Sequence, residues 1–217
     1  MFKAGRVSSG GTFQYASEWD GSELIPVSAG LTQSFGWFAA EPYLLLEDDA
    51  TRFREFWSMF DAVHSRREIE GSIRRFGFAA DRTRADDEIV DLMIAAESLL
   101  MQRGDEKYRG EIRFRLSVRA ASLLADTPEQ RLSAFRFMRR AYDARSKIVH
   151  GGTLSESHLV GLDGSQLSVD GFADSLEDAV RKALHKAMDR LASGEGFPPD
   201  WDSLMFALPE EVASESR

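Results

Sequence analysis

Cysteine is absent from the 217 residues, which excludes a disulfide framework and any thiolate metal site. Histidine is scarce. His64, His150, His158 and His185 are the only four, and they show no paired metal-ligand spacing. No built-in metal and no cofactor are expected. Long hydrophobic runs are missing too: nothing approaches the roughly 18 apolar residues of a spanning helix, and MFKAGRVSSGGTFQ lacks the apolar region of a secretory signal. A cytoplasmic protein without a membrane partner is the expectation.

Net positive charge is lacking as well. A formal charge of −9 speaks against indiscriminate coating of nucleic acid, which rests on many Lys and Arg contacts to phosphate. The average conceals an asymmetry. Residues 101–150 hold 12 Lys and Arg against 6 Asp and Glu, a balance of +6 that leaves −15 for the rest of the chain. Hydrophobic residues at 43% and charged residues at 29% describe a globular chain with one main core.

Residues 1–46 carry no helical period, and TFQY alternates, so a small irregular or β-containing N-terminal appendage is predicted there. A helical domain over 47–193 follows, then an acidic, proline-broken C-terminal tail over 194–217, in which Phe197, Trp201 and Phe206 are candidates to pack on the body or trail from it. The fold class is all-α. Phe53, Phe56, Trp57, Phe60 and Val63 form the inward stripe of a first helix. A second helix is expected over 66–79. DDEIVDLMIAAESLLM (86–101) is apolar on nearly every side and is assigned as the central helix, with Asp91 and Ser98 turned to solvent and Glu97 among apolar neighbours.

A helix over 108–125 puts Ile112, Leu116 and Leu123 inward and sets Arg115 and Arg119 four apart on another ridge. The next helix, 128–149, is the best signalled. Thr127 is a fitting N-cap, Pro128 suits the first helical position, Gln130 completes a capping box, and Gly151 and Gly152 mark the end. Residues 152–173 read as a long loop. A last helix covers 175–192, with Leu176, Val180, Leu184, Ala187 and Leu191 inward.

On the 128–149 helix the inward stripe reads Phe135, Met138, Tyr142, Arg145, Val149, stepping 3, 4, 3, 4. Arg145 thus takes a place reserved for an apolar side chain. A guanidinium buried there needs a carboxylate, a phosphate or an opening, and Glu97 is one candidate partner. His150 falls at the helix end, where a ring with an ordinary pKa near 6.5 can give or take a proton at cellular pH. A fixed cation beside a titratable group suits phosphodiester cleavage. Two plainer roles compete with it: a structural ion pair of Arg145 with Glu97 or Asp143, and a histidine that stabilises a helix C-terminus. Asp143 lies four residues from both Arg139 and Lys147, which fits surface ion pairing. Arg115 and Arg119 fit either an RNA groove or a solvated face.

With 22 arginines and 4 histidines, an Arg-x4-His pair turns up about 0.4 times by chance, so spacing alone carries little. The surrounding segments carry more. EIVDLMIAAESLL, EIRFRLSVRAASLL and AYDARSKIVHGG, in this order, resemble the Apea-like branch of the HEPN superfamily over roughly residues 66–192. That resemblance implies a HEPN-like helical bundle that pairs about a two-fold axis. It implies that Arg145 and His150 of two protomers meet in one metal-independent endoribonuclease site, which cuts RNA by 2′-hydroxyl attack. The motif falls on Arg145 and His150 only; from their placement in the chain, Ser146, Glu97 and Asp143 are read as supporting groups and Arg115, Arg119 and Lys147 as RNA contacts. Ser146 stands where such ribonucleases often carry Asn, Asp or His, and it is a shorter and weaker hydrogen-bonding group. Many such proteins are toxins or parts of anti-phage systems, for which a neutralising or regulatory protein partner is expected. Other members have lost activity and serve as dimerisation or nucleotide-binding modules.

Overall fold

The computed structural model describes residues 47–101 and 111–206, together with the backbone of two short strands. The chain divides into two units, Met1–Phe53 and Arg54–Arg217. In the first, β1 (Ser17–Trp19) and β2 (Leu24–Pro26) pair antiparallel, with Glu18 opposite Ile25. The other residues of the predicted appendage before Glu47 lie outside the described residues, as do 102–110 and 207–217. Seven helices are described: α1 (Glu47–Val63), α2 (Glu70–Ala80), α3 (Ala85–Leu100), α4 (Ile112–Leu124), α5 (Pro128–Val149), α6 (Val169–Ala192) and α7 (Trp201–Phe206). The protein is all-α in this region.

The second unit is organised around α3. Its Ile89, Leu92 and Met93 are fully buried, because α2, α5 and α6 all pack against it. Phe137 of α5 and Phe172 of α6 are also fully buried, with ring centroids 5.2 Å apart. Ser72 of α2 resolves its own burial by donating to the Ala95 carbonyl across the α2–α3 contact, at 2.8 Å. Phe197 and Trp201 pack into the core, whereas Phe206 at the end of α7 is 79% exposed. Of the predicted α1 stripe after Phe53, Val63 is buried and Phe56 and Phe60 pack against the core, whereas Trp57 is 54% exposed.

Both ends of α5 fall where the sequence places them. The Thr127 hydroxyl accepts from the Gln130 amide and the Gln130 side chain accepts from the Thr127 amide, so two orphan donors are met reciprocally. At the other end Gly151 takes φ +72°, its amide donates to the Ile148 carbonyl and the Gly152 amide donates to the Lys147 carbonyl. This is a Schellman closure, and only glycine enters that backbone region without strain.

The phase of α5 differs from the predicted one. Ala134, Phe137, Met138, Ala141 and Ala144 are its buried residues, while Phe135 and Tyr142 are half-buried and Val149 is 55% exposed. The stripe is turned by about one residue, 100° on an ideal helix. Three of the five are alanines, Phe137 and Met138 fill the core between them, and Phe135 and Tyr142 stand at its rim. Asp91 also departs from expectation: it is buried, not turned to solvent, because Arg82 Nε reaches it at 2.6 Å and Arg75 at 3.3 Å. The last helix starts earlier than predicted, since the Ser168 hydroxyl caps it by accepting from the Gly171 amide at 3.1 Å and Phe172 is drawn into the core. The expected 152–173 loop is correspondingly shorter, and it holds a 3-10 turn at Glu156–His158. The second helix likewise begins at Glu70, not at 66.

Candidate functional site

The last two turns of α5 carry the residues that matter. Arg145 keeps the angular position of the buried Met138, seven residues earlier on α5, and near the helix end its side chain is 28% exposed. Its Nε lies 3.9 Å from Glu97 Oε1 on α3. That separation gives Coulombic attraction without a hydrogen bond. Both atoms are shielded from solvent, and neither has a hydrogen-bond partner among the described residues. The contrast with Arg82 Nε on Asp91 at 2.6 Å is informative: one arginine is locked, the other is merely held near an acid.

Burial pushes the Glu97 carboxyl above the usual carboxylate range, and the nearby Arg145 charge opposes that rise. The sign of the linkage follows. A carboxyl whose folded pKa is raised binds more protons folded than unfolded between the two values, so stability falls as pH rises through that window and then levels off. Glu97→Gln should therefore flatten the decline in melting temperature just above pH 4.5, compared with wild type in a pH series. Superimposable curves would mean that burial leaves the carboxyl unperturbed.

His150 closes α5 as its C-cap residue and is exposed. Its amide donates to the Ser146 carbonyl at 3.2 Å, and Ser146 itself is half-buried. Five helical residues turn the chain by about 140°, so Arg145 and position 150 leave α5 on different sides. Within one chain they do not converge on a single point. Lys147 is exposed, and its stem lies over Gly152, where an added Cβ would come within 2.5 Å of Lys147 Cε.

The remaining predicted residues lie on or near α4. Asp143 pairs with Arg113 of α4 at 3.1 Å, a partner that spacing along α5 could not indicate. Arg119 donates to the Leu100 carbonyl at 2.8 Å and stands 5.3 Å over the Trp201 ring, and so ties α4 to the end of α3 and to α7. Arg115 lies 3.7 Å from Glu111 one turn away. Arg119 thus joins separate elements of the bundle, whereas the Arg115–Glu111 contact lies within one turn at the start of α4. A cleft of about 610 Å³ opens beyond the end of α5, lined by Gly151, Gly152, Thr153, Arg84 and Asp170 among others; Arg145 and His150 do not line it.

Sequence reasoning missed a second cluster. Glu88 of α3 and Asp174 and Glu177 of α6 bring carboxylate oxygens within 4.8 Å of one another. Arg181 compensates part of that charge through Glu177 at 2.6 Å and through Asp178. The 174/177 spacing is visible in the sequence, but Glu88 joins it only through the packing of α3 on α6. Among the described residues no helix is long and apolar enough to cross a membrane. No family model, no curated protein and no solved structure matches this chain.

Proposed function

We propose that the chain is a metal-independent endoribonuclease whose site is built from Arg145 and His150 of two copies. The observation that carries this is the end of α5: an arginine held near an acid but not hydrogen-bonded to it, and an exposed histidine five residues on, where a Schellman motif closes the helix. In the reaction the RNA 2′-hydroxyl attacks the adjacent phosphorus, the bond to the 5′-oxygen breaks, and a 2′,3′-cyclic phosphate remains. His150 takes the proton from the attacking hydroxyl or gives one to the leaving oxygen. Arg145 balances the charge that builds on the phosphoryl oxygens. Because the two side chains diverge by about 140° on one helix, a second copy related by a two-fold axis supplies the missing half. Single-stranded or loop RNA is the substrate class, since its backbone can be splayed into a seam. A role as a toxin or in anti-phage defence, with a neutralising or regulatory protein partner, belongs to the same reading.

A non-catalytic dimerisation or nucleotide-binding module is the second reading. The 3.9 Å approach of Arg145 to Glu97 favours it, because an arginine with a carboxylate neighbour already has a structural task. The deciding experiment is an RNA cleavage assay in excess EDTA with wild type, Arg145→Ala and His150→Ala, with the product ends typed. Cyclic-phosphate ends from wild type alone are expected. Intact RNA from a folded wild-type dimer would favour the module.

A further inference from the structure

We infer that the outer face of α5, together with Phe114 of α4, is a track for single-stranded RNA that leads to His150, with Phe114 as the platform on which a base stacks. This rests on the RNA reading of the α5 end, but it concerns binding and not the chemistry. Phe114 is 58% exposed, while Leu116 and Leu123 on the same helix are buried. It is not an isolated surface ring. Its centroid lies 5.7 Å from that of Phe135 at 79°, an edge-to-face pair, and the Arg139 guanidinium stands 5.5 Å over the Phe135 ring.

A ridge starts at this cluster. Arg136, Arg139, Asp143, Lys147 and His150 fall within about 80° of one another around α5, and all but the half-buried Asp143 are exposed. The one acid on the ridge is engaged by Arg113 at 3.1 Å, so the ridge presents cations. From Arg139 to His150 it runs about 16 Å along the helix, enough for several nucleotides. Exposed aromatic rings interleaved with cations bind single strands, because every base has a π face and every linkage a charge.

The same surface could cover a hydrophobic partner, but the chain's charge distribution argues for a polyanion. Residues 101–150 carry +6 in a chain of −9. A second copy laid on the Phe114 end of the face would set Arg136 and Arg139 against like charges, whereas the seam proposed at Arg145 and His150 lies at the other end of the ridge.

The test measures binding of a fluorescein-labelled single-stranded 12-nucleotide RNA by anisotropy, with the full chain in the His150→Ala background so that RNA stays intact. Phe114→Ala and Phe114→Leu should each weaken binding by roughly 5- to 100-fold, the loss of one base stack, and Phe114→Trp should retain it. The leucine variant is the discriminating one, since it keeps apolar area and removes the ring face. Arg136→Ala with Arg139→Ala should lower the slope of log affinity against log salt by roughly 0.7 for each phosphate that is no longer neutralised. Equal affinity in all Phe114 variants, with wild type binding RNA, overturns the track and leaves the nuclease reading standing. A change in sedimentation mass that follows Phe114→Ala overturns it in favour of a protein interface. No RNA binding by the His150→Ala parent with Phe114 intact removes both, whereas binding through Phe114 together with intact RNA from wild type in the cleavage assay keeps the track and removes the nuclease.

Discussion

Arg145→Ala is expected to lower the rate of metal-independent RNA cleavage by about 10²–10³-fold, the loss typical of one preorganised group at developing charge. His150→Ala should lose about 10²–10⁴-fold, the range of a general acid or base. The harder question is what the arginine variant would prove, because Glu97 Oε1 lies 3.9 Å from Arg145 Nε and is shielded from water. Removing the guanidinium leaves that carboxyl without its nearest cation, and its pKa should rise further as desolvation goes unopposed. Arg145→Lys separates the roles. An ammonium restores the positive charge beside Glu97 but cannot fork onto a phosphate. A phosphate clamp predicts that lysine recovers the melting temperature and not the cleavage rate. A purely structural arginine predicts that lysine recovers both, and that outcome would sink the catalytic assignment. The assay reads single-turnover rates in EDTA, alongside thermal melts of each variant.

Local codes are legible in the sequence and tertiary ones are not. Thr127, Pro128, Gln130, Gly151 and Gly152 specify the limits of α5 through bonds that span a few residues, so its range is readable to the residue. Its burial phase is not. Three of its five buried residues are alanines, whose small side chains carry little hydrophobic weight, while Phe135 and Tyr142 draw the predicted stripe to the rim. The partners of charged groups are hidden for the same reason. Arg113 with Asp143, Arg119 with Leu100 and Trp201, and Glu88 with Asp174 and Glu177 each join residues from different helices. The Glu97–Arg145 approach is the exception, because an arginine beside an apolar stripe must find an acid, and Glu97 is the acid set among apolar neighbours.

Asp91 shows how far such pairing can reverse an expectation, and it yields the largest predicted stability effect. Its side chain is 5% exposed, whereas those of Arg82 and Arg75 are 46% and 40% exposed. The two sides of the network are therefore unequal. Removing the acid frees two guanidiniums that can rehydrate, so Asp91→Ala should cost about 2–3 kcal/mol, the value of its charged hydrogen bonds. Removing both arginines strands a carboxylate in a site closed to water. Arg75→Ala with Arg82→Ala should cost more, about 3–5 kcal/mol at pH 7. Urea unfolding of the two variants and wild type at pH 7, with the m-value unchanged, measures that order. If Asp91→Ala proves the costlier change, the arginines do not sustain the burial of the acid, and the α2–α3 seam must be held by its apolar packing and by Ser72 on the Ala95 carbonyl.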